Sequence, residues 1–368
     1  MTLSARILCR VVDNFGDAGV CWRFTRQLAR EHGWRIRLTI DRPELLERLG
    51  ARPELDAGRG AIIVERWTDN ADLERRDEDV LISAFGAEPP PALRASLAGA
   101  PRRPLWVQLE YLSAEAWVGS HHGLRSTKPH DGAVEHFYYP GFDSRTGGLL
   151  REDGVFARRD AFVGSGEQRV WLATRGIAPD PGERIATLFC YPNAPVASWL
   201  RLLATGSTRW RVLVPEGVAD AAIATHFGSA GAAGRVMRDA SLAVQPVPFL
   251  PQDDYDRMLW SADLNLVRGE DSWVRAQWAA RPFLWQPYRQ QAGAHLVKLR
   301  AFLHRLHAPA EVDDAMLSWS GDGDWSRAWQ ALDAKLDALR PGFARWSAAL
   351  GAQDDLCSRF AEFCIERL

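Results

Sequence analysis

Short apolar runs alternate with stretches of helical spacing along most of this chain, and they do so in two separate series. The first series reads RILCRVV (6–12), RIRLTI (35–40), AIIVERW (61–67), DVLISAFG (79–86) and LWVQLEY (105–111). Between its first two runs, Val20, Phe24 and Leu28 recur every fourth residue, which marks one face of a helix over 17–32. Gly33 stands where that helix needs a C-terminal cap. A short helix is predicted near 43–49, and a Pro-led one over 89–98. The second series reads IATLFCY (185–191), WRVLVPE (210–216), LAVQPVPF (242–249), ADLNLVRG (262–269) and FLWQPY (283–288), with helices over 197–204 and 271–280. Strands alternating with helices predict parallel sheet built from βαβ units. The remainder, 290–368, reads as largely helical.

Two series of similar size predict an α/β protein of two Rossmann-like domains facing each other across a cleft. The boundaries fall at residues 1–155 and 156–345, with a C-terminal helix over 346–368 packing back on the first domain. The length of 368 residues suits two domains better than one. The interval 119–165 carries seven glycines from Gly119 to Gly154, four histidines and little periodicity. It is read as long active-site loops plus a linker. Open parallel sheets bind ligands beyond the carboxyl ends of their strands, so the expected site lies in the crevice between the two sheets. This layout occurs in GT-B glycosyltransferases, in two-domain binding proteins and in some epimerases. Fold alone does not choose among them.

Charge and cysteine usage narrow the field. The 45 basic residues nearly cancel the 47 acidic ones, and a net charge of -2 gives no reason to expect a global nucleic-acid or membrane-surface binder. Cys9, Cys21, Cys190, Cys357 and Cys364 are odd in number and form no CxxC pair, which reads as a reduced, cytoplasmic protein. The N-terminus resembles neither a signal peptide nor a membrane span. Sixteen tryptophans are many for this length; most are expected in the cores.

Three constellations can carry chemistry. In Asp13-Asn14-Phe15-Gly16-Asp17, two carboxylates sit where the first strand hands over to its helix. The structural reading makes Asp17 a helix N-cap and Asp13 a turn former. The functional reading makes a carboxylate here a general base, or a holder of a cationic acceptor. Either acid would repel a diphosphate, so this turn is expected to face the acceptor. In LNLVRGEDSWVRAQWA (264–279), a strand ends in a turn and a helix starts near Asp271 or Ser272. Helix N-terminal amides bind anions, Arg268 adds a phosphate donor, and Glu270 can accept from sugar hydroxyls. The plainer reading is a capped helix. Third, Phe189, Tyr191, Phe249 and Tyr288 lie near strand ends in the second series. Core packing is the ordinary fate of such residues; around a crevice they can stack on a base, and Tyr288 can donate to a phosphate.

Other signals are weak. Asp77-Glu78-Asp79 and Asp322-Gly323-Asp324 have D-x-D spacing. The first precedes a strand, and Asp324 of the second suits a helix cap. His121, His122, His130 and His136 lack metal-ligand spacing and read as solvated or substrate-loop residues. No metal is expected.

Taken together, DNFGDAGVCWR (13–23), FCYPN (189–193), PFLPQDDYD (248–256), RGEDSWVRAQWA (268–279) and WQPYRQQ (285–291) resemble the EarP family. These are protein-arginine rhamnosyltransferases acting on bacterial translation elongation factor P. The resemblance runs in order from residue 6 to about residue 300. It implies a GT-B fold, dTDP-β-L-rhamnose as donor, no metal, and inverting transfer to one arginine of elongation factor P. That modification activates the factor for ribosomes stalled at proline runs. The second domain would bind the nucleotide. Phe189, Tyr191 and Phe249 would surround the thymine with Gln252 nearby, and Glu270 would engage sugar hydroxyls. Asp271 and Ser272 would offer main-chain amides to the diphosphate, with Arg268 and Tyr288 completing the anion site. Asp13 and Asp17 would face the acceptor arginine, with Asp17 as the base. The rival readings are a non-catalytic binder of an anionic small molecule and a hydrolysing sugar-nucleotide epimerase.

Overall fold

The computed structural model describes residues 2–68, 78–129 and 132–368. Every strand expected from the apolar runs falls within these residues; Asp77 and His130 lie outside them. The chain divides into two compact units, one of residues 1–153 with 351–368 and the other of residues 154–350.

The first unit is a seven-stranded sheet. Its strands are β1 (Ser4–Cys9), β2 (Arg35–Ile40), β3 (Ala61–Arg66), β4 (Val80–Ala84), β5 (Leu105–Leu109), β6 (Arg125–Thr127) and β7 (Val134–Tyr138). They are ordered β3-β2-β1-β4-β5-β7-β6. All neighbours are parallel except β6, which pairs antiparallel with β7 at the edge. β1 and β4 are buried along their whole length, which is why they read as unbroken apolar runs. The second unit holds β8 (Arg184–Leu188), β9 (Trp210–Pro215), β10 (Met237–Asp239), β11 (Leu242–Val247), β12 (Leu264–Arg268) and β13 (Phe283–Gln286). Their order is β10-β11-β9-β8-β12-β13, parallel apart from the edge strand β10. In each sheet the strand order reverses once: between β1 and β4 in the first, and between β8 and β12 in the second. These two switch points are where a doubly wound sheet opens a ligand crevice.

The structure corrects several expectations. The interval 119–165 is not only loop: it contributes β6, β7 and helices Val118–His121 and Val155–Gly164. Its strands are short and half-exposed, so they show no apolar period. The run IATLFCY stops being strand at Leu188, and Phe189, Cys190 and Tyr191 leave the sheet to line its end. Asp17 is not an N-cap. Helix Phe15–His32 starts two residues earlier and its N-cap is Asn14, with φ 43°. Likewise helix Asp271–Ala279 has Glu270 at its N-cap, so neither Asp271 nor Ser272 caps it. Gly33 does cap the first helix, at φ 72°. Most tryptophans are buried in the two cores, while Trp117 is exposed.

The C-terminal helix Leu356–Ile365 belongs to the first unit and packs on helix Phe15–His32. Phe360 meets Phe24 and Tyr138 edge-on, each with ring centroids 5.0 Å apart. Asp355 caps this helix and also accepts from Gln27. Arg23, 1% exposed, donates from Nε and Nη2 to the two carboxylate oxygens of Glu152 at 2.7 and 2.8 Å. Losing one partner of a buried pair strands the other's charge. Glu152→Ala is therefore expected to cost about 3 kcal/mol, lowering the melting temperature of this unit by roughly 6–12 °C. Thermal unfolding followed by circular dichroism checks this, and an unchanged transition would show that the pair contributes nothing.

Candidate active site

At the first switch point, β1 ends at Cys9 and the chain turns through Asp13 into helix Phe15–His32. Asp17, 2% exposed, reaches back over this turn. Its Oδ2 accepts from the backbone N–H of Val12 at 2.7 Å and of Asp13 at 2.8 Å. The Tyr111 hydroxyl also donates to the Asp17 carboxylate. Burial raises the pKa of Asp17, against the lowering effect of those three hydrogen bonds, and nearby Asp41 adds to the rise. Asp13 is half-buried and its carboxylate lies over Gly16. A Cβ at residue 16 would sit 2.7 Å from Asp13 Oδ2, so any larger residue there would push the Asp13 carboxylate out of its present position.

Three neighbours of this acidic turn were not evident in the sequence. Tyr111 follows β5 and stacks on Phe85, with ring centroids 4.4 Å apart. Phe85 follows β4 and holds φ at 56°, a strained backbone for a bulky residue. Asp41 follows β2 and accepts from the Val11 N–H at 3.0 Å. Each stands just past a strand's carboxyl end. That position is the one signal by which they were findable.

At the second switch point, the ends of β8 and β12 lie side by side. Arg268, the last residue of β12, places its guanidinium 4.2 Å from the Phe189 ring centroid and 4.8 Å from that of Tyr191. Its Nη1 donates to the Cys190 carbonyl at 2.8 Å. The Tyr191 ring meets the exposed Tyr288 edge-on at 5.5 Å. The Tyr191 N–H donates to Gln286 Oε1 at 2.7 Å, which fixes the turn after β8. Gly269, at φ 58°, starts the turn into helix Asp271–Ala279. Ser272 ties that turn down, accepting from the Arg268 N–H at 3.1 Å and donating to the Arg268 carbonyl. Gln252, at the start of helix Gln252–Ser261, donates from Nε2 to Asp271 Oδ2 at 3.1 Å. The structure thus groups Phe189, Tyr191, Arg268 and Tyr288 in one cluster, and Gln252, Asp271 and Ser272 around the adjoining helix start. Phe249 is half-buried just past β11, and Glu270 occupies the helix N-cap.

Each unit therefore carries a cluster at the carboxyl end of its sheet: acids in the first, a cation among aromatics beside a helix N-terminus in the second. Comparison with known proteins decides the family. The profile described as "Elongation-Factor P (EF-P) rhamnosyltransferase EarP" matches residues 5–365. The chain belongs to the EarP family. A protein-arginine rhamnosyltransferase from Pseudomonas aeruginosa is 42% identical, over 98% of this chain and 99% of that protein. One from Neisseria meningitidis is 32% identical, over 97% and 96%. A solved structure described as the structural basis for EarP-mediated arginine glycosylation of translation elongation factor EF-P superposes with a TM-score of 0.69. It is 30% identical and covers 99% of both chains. The calicheamicin glycosyltransferase CalG4, 11% identical with a TM-score of 0.52, shares the GT-B fold alone.

In this EarP chain the weak signals resolve into structural roles. Asp79 accepts from the Ser4 N–H and hydroxyl, both at 2.9 Å, and Glu78 pairs with Arg6 at 3.0 Å. Asp324 accepts from the N–H groups of Ser326 and Arg327, and Asp322 pairs with Arg300. His122 and His136 are not solvated loop residues: both rings approach Phe363 of the C-terminal helix. Burial pushes the pKa of His122 down to about 4. All five cysteines are buried thiols. Among the described residues, no group of three or more His, Cys, Asp or Glu is placed to hold a metal ion. Nor is any helix among them long and apolar enough to cross a membrane.

Proposed function

We propose that this protein transfers L-rhamnose from dTDP-β-L-rhamnose, with inversion, to one arginine side chain of elongation factor P. The observation that carries the reading is the opposite polarity of the two switch points: carboxylates after β1, and Arg268 with helix amides after β12. A guanidinium is a cation with a pKa above about 12, and its nitrogens are poor nucleophiles while charged. Asp13 orients the fork, and Asp17 takes the proton as the new C–N bond forms at the anomeric carbon. Its raised pKa favours that acceptance. The C–O bond to the diphosphate breaks on the opposite face of the sugar, and the leaving dTDP gathers negative charge. Arg268, the Tyr288 hydroxyl and the amides of Asp271 and Ser272 meet that charge without a metal. Phe189, Tyr191 and Phe249 hold the thymine with Gln252, and Glu270 accepts from sugar hydroxyls. A cytoplasmic site of action follows from a translation factor as acceptor and agrees with five free thiols.

The test is intact-mass analysis of elongation factor P incubated with this protein and dTDP-rhamnose, with and without a chelator. One deoxyhexose added to one arginine, at the same rate in both, is the expected result. Free rhamnose with unmodified acceptor would replace the reading with hydrolysis of the epimerase type. Donor left intact would leave a binding protein. Transfer lost on chelation would overturn the metal-free part.

A further inference from the structure

A carboxylate at a helix N-terminus works against an anion bound there, yet Asp271 is the first residue of the helix assigned to the diphosphate. Its surroundings resolve the conflict. Arg275, one turn on and 1% exposed, donates from Nε to Asp271 Oδ2 at 3.1 Å. From Nη1 it donates to Asp256 Oδ1 at 2.8 Å and to the Gln252 carbonyl at 3.4 Å. Gln252 and Asp256 are themselves one turn apart on helix Gln252–Ser261. A single buried guanidinium thus clamps the starts of two helices and is shared between two carboxylates, Asp271 and Asp256, offsetting part of the charge at the helix start. Asp254 of the same helix is paired separately, with Arg175 at 2.8 Å.

We propose that Arg275 is a positioning residue that makes this pocket receptive to a nucleoside diphosphate. It offsets the Asp271 carboxylate in part, being shared with Asp256, and holds Asp271 and Gln252 in register, so that the diphosphate end and the base end of the donor are bound as one unit. This rests on the donor-site assignment above. Arg275 touches no phosphate; it acts through Asp271 and Gln252. Lysine keeps the charge but not the planar fork that reaches both helices, so charge and geometry separate cleanly.

The experiment compares binding of dTDP and of uncharged thymidine to the full chain and its Arg275→Gln, Arg275→Lys and Asp271→Asn/Arg275→Gln variants. Stripping the cation leaves the Asp271 carboxylate beside the anion, and Asp256 behind it, without this partner. Arg275→Gln is expected to weaken dTDP by roughly ten- to a hundredfold, and thymidine by no more than about threefold. Arg275→Lys should recover part of the dTDP affinity, and Asp271→Asn should do so in the Arg275→Gln background. The ratio of the two affinities is independent of the fraction folded, so partial misfolding does not mimic the result. Equal loss for both ligands, or no rescue by removing the Asp271 charge, would reduce Arg275 to a scaffold residue and overturn the proposal. Wild-type protein that fails to bind dTDP at all would instead sink the donor-site reading itself.

Discussion

Asp17→Asn is expected to cut transfer severely while leaving the fold intact or more stable. The asparagine carbonyl can still accept from the Val12 and Asp13 N–H groups, so the turn after β1 survives. What disappears is the negative charge and the proton acceptor, and loss of a positioned general base costs about 10²- to 10⁴-fold in turnover. The stability side follows from the direction of the pKa shift. Burial raises the folded-state value of Asp17 above its ordinary value of 3.8. The folded chain then holds that proton more tightly than the unfolded chain does. The associated stabilisation is complete below the unfolded value and is lost as pH rises through the folded one. Near neutral pH the wild type therefore buries an ionised carboxylate at a cost that asparagine lacks. Melting temperature at pH 7 should be equal or higher in the variant, and turnover in the wild type should rise with pH through the folded-state value. A variant with near-normal turnover would remove Asp17 as the base. One that melts much lower would show that the charge itself holds the turn.

The second large effect is expected at Arg268. Its guanidinium lies against Phe189 and Tyr191 and is fixed by the Cys190 carbonyl, so one side chain supplies both a wall for the aromatics and the charge next to the helix start. Arg268→Met should lower kcat/KM for the donor about 10²- to 10³-fold, the scale of losing one charge-stabilising donor. Arg268→Lys should recover little, because an ammonium neither stacks as a plane nor keeps the same directional bond. Steady-state kinetics against donor concentration decides this, and a lysine variant with wild-type kinetics would assign Arg268 to bulk charge alone.

Much of the architecture was legible because its signals are local. Apolar runs bounded by glycine, proline and polar residues mark the long strands; a four-residue spacing and Gly33 mark the first helix. The short edge strands β6 and β10 were missed, since three residues at a sheet's edge bury too little to leave a pattern. Both candidate site turns were visible because chemistry-bearing residues cluster immediately after predicted strands. The acids of the first and the arginine of the second are contiguous in sequence with the elements that carry them.

What no local pattern contains is the pairing of residues far apart in the chain. That Asp17 is the buried acid and Asp13 the half-exposed one depends on Asp17 folding back over its own turn, with Tyr111 brought in from the end of β5. That Arg268 rests on Phe189 and Tyr191 depends on β12 lying beside β8, strands separated in the chain by residues 189–263. The sequence by itself therefore determined the α/β class, the two series and the family. Only the tertiary structure decided which charges are buried, stacked or cancelled, because desolvation and ion pairing are set by neighbours in space and not by neighbours in sequence.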